Sequence, residues 1–280
     1  MSASGQPRPP VPLLPQDAVD RPLAGFAQDY RDGHGTGRHS HGRAQLLYAI
    51  AGVMRIETDA MAFVVPPGRA LWVPAGLPHA VTMRGAVAMR ALFLRADAAA
   101  ASGPPGRAAA AVLAVSPLLR ELILAACAEP PDWDPAGRFP HIAALILDEI
   151  ARAPALPLLG GVPAVRDKRL RRLAAALEAD PASGLTLERW ATQCGASPRT
   201  LTRLFRRETG MGFARWRQAL RLAEAAALLA QGVPPARAAA AVGYASAPAF
   251  GAAFRAAFGV TPGVLGMPRG AAPAAGDGAR

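Results

Sequence analysis

Residues 185–210 read "LTLERWATQCGASPRTLTRLFRRETG", and this stretch decides the fold of the C-terminal part of the chain. Leu187, Trp190, Ala191 and Cys194 fall at i, i+3, i+4 and i+7, one apolar face of a helix. Gly195 is the residue type that ends a helix in the left-handed conformation. Ser197 then offers a side-chain cap, and Pro198 a first-turn residue, for a second helix. In that helix Leu201, Leu204 and Phe205 face one way, while Arg199, Thr202, Arg203 and Arg206 face the other. A helix, a tight turn and a helix with an Arg-rich outer stripe make a helix-turn-helix, whose second helix is shaped to enter a major groove.

The pattern recurs in "VPPARAAAAVGYASAPAFGAAFRAAFG", residues 233–259. Gly195, Ser197, Leu201, Phe205 and Gly210 correspond to Gly243, Ser246, Phe250, Phe254 and Gly259, with one residue added in the turn. Between the copies, residues 212–232 read as one long helix with Phe213, Trp216, Leu220 and Ala223 on a face. The copies differ where they face outward. The positions of Arg199, Thr202 and Arg203 hold Pro248, Gly251 and Ala252, and only Arg255 preserves an arginine, that of Arg206. Base readout is therefore expected from Arg199, Thr202, Arg203 and Arg206. Ser197, Thr200 and Arg207 accompany them on the same helix, with Arg207 and Arg215 read as phosphate contacts or solvated side chains. The second copy is expected to hold phosphates through Ser246, helix-end amides and Arg255.

The charge agrees with this division. Residues 165–269 hold 16 of the 31 basic but only 6 of the 20 acidic residues, so one segment carries nearly all of the net +11. That asymmetry fits a polyanion-binding module joined to a neutral one, although a solvated basic face would give the same count. On the quoted motifs, residues about 168 to 266 resemble the DNA-binding domain of AraC/XylS-type transcription regulators; the closing "FRAAFGVTP" is the most specific part. The resemblance implies an all-α domain of two helix-turn-helix subdomains and double-stranded promoter or operator DNA as partner.

The N-terminal text is different. From Ala44 to Leu94, "QLLYAI", "VMRIET", "AFVV", "ALWVP", "HAVTM" and "VAMRALFL" are short β-rich runs punctuated by "AG", "PPG", "PAGLP" and "RG". Such spacing predicts a small barrel or sandwich. Just before it, His39 and His41 are two apart, a spacing that places two imidazoles on one face of a strand. Gln45 and Gly52 follow, and "PAGLPH" supplies Pro74, Gly76 and His79. This two-part pattern resembles the cupin motifs over residues 30 to 95, with Gln45 where cupins carry Glu and Met83 where Asn is frequent. The resemblance implies a divalent transition metal of unassigned identity on His39, His41 and His79, with Gln45 a weaker oxygen ligand. A polar pocket without metal, or an organic effector, fits the same histidines. Leu47, Ile56, Phe63, Trp72 and Met89 are candidate lining residues or plain core, and Arg55, Arg69 and Arg84 candidate partners of an anion or solvated. His34 is read as a loop residue and His141 as structural.

The expected organisation is a Pro-rich disordered tail (1–25), a cupin-like sensory β-barrel (26–98) and a helical, dimer-forming segment (112–155). A linker (156–166), the DNA-binding domain (167–268, helix-turn-helix units 187–207 and 235–258) and a second disordered tail (269–280) complete it. Cys127 and Cys194 show no metal or redox spacing and suit a reducing compartment. Without a signal peptide or membrane-length apolar run, the expected location is the cytoplasm. The expected function is a homodimeric, non-enzymatic, effector-sensing transcription regulator. The rival readings are a metal-dependent cupin dioxygenase or isomerase with a DNA-binding appendage, and a metal-free barrel that only dimerises.

Overall fold

The computed structural model describes residues 14–102, 109–155 and 161–265; the remaining parts of both expected tails and of the linker lie outside the described residues. A short helix α1 (Pro15–Ala18) precedes eight strands: β1 (Leu23–Tyr30), β2 (Gly35–His39), β3 (Ala44–Ala49), β4 (Val53–Thr58), β5 (Met61–Val65), β6 (Arg69–Val73), β7 (His79–Arg84) and β8 (Val87–Leu94). Helix α2 (Ala96–Ser102), strand β9 (Ala111–Ala114), helices α3 (Pro117–Ala128) and α4 (Phe139–Arg152) and strand β10 (Gly161–Pro163) follow.

The strands form two five-stranded sheets, ordered β1-β8-β3-β6-β9 and β10-β5-β4-β7-β2. They face each other as a cupin-like sandwich, not a closed barrel. Alternation explains the packing. On β3, Leu47 and Ala49 point between the sheets, where they meet Ile56, Phe63 and Met83, while Leu46 and Tyr48 point to the opposite face. That opposite face is covered by α3 and α4, through Leu119, Leu122, Ile123 and Ala126 of one and Phe139, Ala143, Ile146 and Ile150 of the other. Trp72 packs with these helices, so it lines no inter-sheet pocket. Gly25 lets α3 approach β1: a Cβ there would lie 2.2 Å from the carbonyl oxygen of Ala126. The apolar faces of α3 and α4 are thus largely spent on the sheet, leaving Leu118 and Leu145 exposed.

Three expectations are corrected. Residues 14–25 are structured, with α1 and the start of β1 inside the segment read as a tail. Residues 161–163, read as linker, pair with β5 as an edge strand. The helical segment opens with β9, which pairs with β6. The sandwich therefore draws strands from beyond residues 26–98.

The second half is helical: α5 (Lys168–Ala179), α6 (Leu187–Gln193), α7 (Pro198–Thr209), α8 (Phe213–Ala230), α9 (Pro235–Ala241), α10 (Ala247–Phe258) and α11 (Pro262–Leu265). The repeat is reproduced in detail. Helices α7 and α10 are each 12 residues long, each capped by a serine side chain (Ser197, Ser246), and each ended by a glycine at φ 68° (Gly210, Gly259). A left-handed terminus of this kind favours glycine at both places. The added residue of the second turn is accommodated by Tyr244, whose ring lies 5.3 Å from that of Phe250.

The two halves share one core. Val53, Val64 and Val162, on the outer face of the β10-β5-β4 side, cluster with Leu170, Trp190, Phe205 and Trp216 of the helical domain. The Trp216 indole donates to the carbonyl of Pro163 at 3.0 Å. Arg55 on β4 pairs with Glu57, Glu178 and Glu224 at 2.8, 3.1 and 3.2 Å. Arg69 donates to the carbonyl of Phe258, the last residue of α10, at 2.9 Å. Neither arginine is free to meet an anion, the role considered for them from the sequence. Among the described residues no helix is long and apolar enough to cross a membrane.

Candidate functional site

His39 ends β2 and lies directly opposite His79, the first residue of β7. The strand stops there, so alternation is not what gathers the third imidazole. The following turn brings the His41 ring to 4.9 Å from that of His39 and 5.8 Å from that of His79, while His39 and His79 stand 4.4 Å apart. The two motifs are tied directly, because the amide of Gly76 donates to the carbonyl of His41 at 2.8 Å.

The hydrogen bonds of the three rings determine what they offer. His39 Nδ1 lies 2.9 Å from the carbonyl of Gly37, and His79 Nδ1 lies 3.0 Å from that of Leu77. A carbonyl only accepts, so each Nδ1 carries its proton and each Nε2 keeps a lone pair. His41 Nδ1 lies 2.9 Å from a carboxylate oxygen of Asp17, which selects the same tautomer. Ligand nitrogens of all three rings fit within 4.8 Å of one another. The Nε2 of His79 is buried without a partner among the described residues, and so is Oε1 of Gln45. Gln45 sits on β3 beside Phe93, whose ring contacts His41 at 5.0 Å. Buried acceptors with no donor are costly, and a divalent transition metal would supply the missing electrophile. The residues present fit such an ion.

Sequence reasoning missed Asp17. Its short helix lies in a Pro-rich stretch with no periodicity, and nothing in the text links it to a histidine 24 positions on. His34 stacks on Tyr30 at 4.8 Å in its loop, and His141 is exposed on α4. Neither joins the cluster.

Burial holds His79 down to about 4, from an ordinary 6.5, and holds His39 below its ordinary value as well. Both rings are thus neutral, as ligands must be, at pH 7. The metal-free protein should show this as a pH-dependent stability. Between pH 6.5 and 4 the unfolded chain takes up a proton at His79 that the folded chain refuses. The stability is full above pH 6.5 and falls by roughly 3 kcal/mol as the pH drops toward 4. Urea unfolding of chelator-treated protein at steps from pH 7 to pH 4 measures the slope. The slope should flatten in His79→Leu.

The second candidate surface is the outer face of α7. Arg199, Arg203 and Arg206 are exposed at i, i+4 and i+7, and none of their side chains has an ion-pair or hydrogen-bond partner among the described residues. Three free guanidinium groups on one stripe repel one another, and a polyanion relieves that repulsion. Other sequence candidates have local work. Ser197 Oγ accepts the amide of Thr200 at 3.1 Å and lies 2.9 Å from the hydroxyl of Thr200. The Thr202 hydroxyl donates to the carbonyl of Pro198 at 2.9 Å, which leaves its oxygen lone pairs and methyl group for other contacts. Arg207 leans on Glu208 at 3.3 Å. In the second unit Ser246 caps α10, and Arg255 is exposed with no ion pair among the described residues.

Two further arginines of the basic domain are structural. Arg221 on α8 donates to the carbonyls of Pro181, Ser183 and Gly243 at 2.8, 3.0 and 3.3 Å, and Arg217 to that of Leu185 at 3.0 Å. Arg221 thereby joins the loop ahead of the first unit to the turn of the second, which sets the spacing of the two outer helices.

Comparison with known proteins follows the same division. Residues 27–95 match the cupin domain family and residues 190–266 a helix-turn-helix domain family. The chain is 29% identical over 225 residues to the HTH-type transcriptional regulator NimR of Escherichia coli K12, covering 80% of each. It is 40% identical over 123 residues to the HTH-type transcriptional regulator RipA of Corynebacterium glutamicum, covering 44% of this chain and 34% of that one. Among solved structures, an AraC-type transcriptional regulator from Chromobacterium violaceum shares 28% identity over 36% of this chain and 95% of its own, at a TM-score of 0.34.

Proposed function

We propose that this chain, a DNA-binding transcriptional regulator that joins a cupin domain to an AraC-type helix-turn-helix domain, senses a divalent transition metal through His39, His41 and His79. Gln45 serves as a weaker oxygen ligand. The observation that carries this reading is the common tautomer of the three rings: every Nδ1 is occupied by an acceptor, which leaves every Nε2 lone pair for one ion. When bound, the ion supplies positive charge and a cross-link between the end of β2 and the start of β7. Arg199, Thr202, Arg203 and Arg206 read bases, and Ser246 and Arg255 hold phosphates. The protein works as a homodimer in the cytoplasm, with the exposed Leu118 of α3 and Leu145 of α4 at the contact.

The sheet arrangement supports a route from sensor to reader. His79 is the cross-strand partner of Thr58 on β4, and Arg55 of the same strand makes the ion pairs to Glu178 and Glu224. The site and the docking face are therefore parts of one sheet. An ion shifts the DNA-binding state only as far as it prefers one arrangement of that contact over another. The absence of a carboxylate at position 45 favours sensing over the dioxygenase or isomerase reading, because the ion would be less firmly held through turnover.

The test is to map genomic DNA fragments bound by the purified protein with and without Zn²⁺, Ni²⁺ or Co²⁺. Expected is binding at low salt with a metal-dependent change in affinity, and loss of that change, but not of binding itself, in His79→Ala. No binding to any promoter fragment at low salt would overturn the regulatory reading. Binding indifferent to all three ions would overturn the sensing role, and oxygen uptake by the metal-loaded protein would favour the enzymatic alternative.

A further inference from the structure

We infer that Asp17 is a positioning residue of the metal site, supplying through His41 the negative charge that Gln45 does not. This rests on the reading of the histidine cluster as a metal site.

The Asp17 side chain is 5% exposed and that of His41 is 7% exposed, and their bond is 2.9 Å long. The second carboxylate oxygen of Asp17 is buried with no partner among the described residues. Burying a carboxylate with one oxygen unsatisfied is unfavourable unless positive charge stands near it. A cation stands near it in Arg43, just ahead of β3. Its charge acts on Asp17, but its guanidinium donates to main-chain oxygens, those of Arg21 at 2.8 Å and of Val19, and among the described residues not to the carboxylate. A divalent ion on the far nitrogen of His41 would add positive charge along the hydrogen bond that Asp17 does make.

The chemistry is directional. A carboxylate on Nδ1–H draws that proton toward itself and raises the electron density at Nε2, so the ring binds a cation more strongly. It also holds the ring, whose other neighbours are the rings of Phe93, His39 and His79. With three neutral rings and a neutral amide, the ligand set itself carries no charge to offset that of a divalent ion. Asp17 halves the uncompensated charge without occupying a coordination position.

The position of Asp17 is built, not incidental. Gln16 beside it is buried and donates to the carbonyl of Gly25 at 3.3 Å. The amide of Asp17 donates to the carbonyl of Leu14 at 2.9 Å. Arg21 donates to the carbonyl of Trp133 at 2.7 Å, and the Trp133 indole to that of Leu23 at 2.8 Å. Residues 16–23 are thereby stitched to the sandwich and to the segment between α3 and α4.

The test uses the full chain, stripped of metal and titrated with Co²⁺, whose visible spectrum reports ligand type and coordination number. Asp17→Asn keeps an acceptor for His41 but removes the charge; Asp17→Ala removes both. Expected is a Co²⁺ affinity about 10- to 100-fold weaker in Asp17→Asn, and at least as weak in Asp17→Ala, with a spectrum of the same ligand type. His39→Ala should abolish the spectrum. A second measurement needs no variant: in the Zn²⁺-loaded parent protein, nitrogen-15 NMR should find His41 protonated at Nδ1 and metal-bound at Nε2. Parent-like affinity in a folded Asp17→Asn, or an ion on Nδ1 of His41, overturns the role of Asp17 and leaves the metal site standing. No Co²⁺ binding by the parent protein overturns the site reading itself, and this inference with it.

Discussion

The double variant Arg199→Ala, Arg203→Ala is expected to bind its operator roughly 30-fold to 10⁴-fold more weakly than the parent, from about 1–3 kcal/mol for each bidentate guanine contact. The two side chains are one helical turn apart, exposed, and without ion-pair partners among the described residues, so no internal bond must break for them to reach a base. Because the pair repels in the free protein, the loss should fall somewhat short of the sum of the single variants. Binding to random DNA should be weakened far less, since Arg207 and Arg255 would still be available to phosphates. Fluorescence anisotropy against a selected operator and a scrambled one, at two salt concentrations, separates the cases. Equal losses on both sequences, with a shallower salt dependence, would show that these arginines only hold the backbone.

Trp216→Ala is expected to cost about 3–5 kcal/mol of stability, the range for a large aromatic removed from a packed interior. Trp216 is 2% exposed and lies 5.5 Å, ring to ring, from Phe205 of the first outer helix. Its indole also satisfies the carbonyl of Pro163. The substitution therefore opens a cavity and leaves a main-chain acceptor unsatisfied where strand β10 meets α8. Against a typical total of about 5–15 kcal/mol, this is enough to populate partly unfolded chains. Urea unfolding followed by circular dichroism gives the magnitude, and a loss below about 1 kcal/mol would mean that the site collapses around the missing ring. Trp216→Phe, which restores part of the volume but not the donor, helps to separate the two contributions.

How much of this was legible depended on the kind of signal. The helix-turn-helix units carry their instructions locally: a serine cap, a proline, an apolar stripe and a terminal glycine, stated twice. Strands β3 to β8 were readable because alternation and turn residues coincide. The other four were not. β2 is "GTGRH" and is largely exposed; β10 is three residues ending in proline; β1 ends in polar residues; β9 follows an alanine-rich run that reads equally as helix. The histidines could be gathered from their spacing, and Gln45 noted as a departure from the motif. Asp17 could not, since its role is set by where α1 comes to rest. The same holds for Arg55 and Arg69, whose partners lie up to 189 positions away. A charge pattern shows that arginines are present, and only the fold shows which are already spoken for.

The valines that bridge the two halves bear on how such proteins can be recombined. Val53, Val64 and Val162 belong to the same interior as Trp190 and Phe205, so the border between sensor and reader is apolar as well as ion-paired. A graft that moved residues 167–268 onto a foreign sensor would strand an oily face on both pieces. A working chimaera must carry the outer face of β4, β5 and β10 along with the reader. For this chain, the exchangeable unit is larger than either domain.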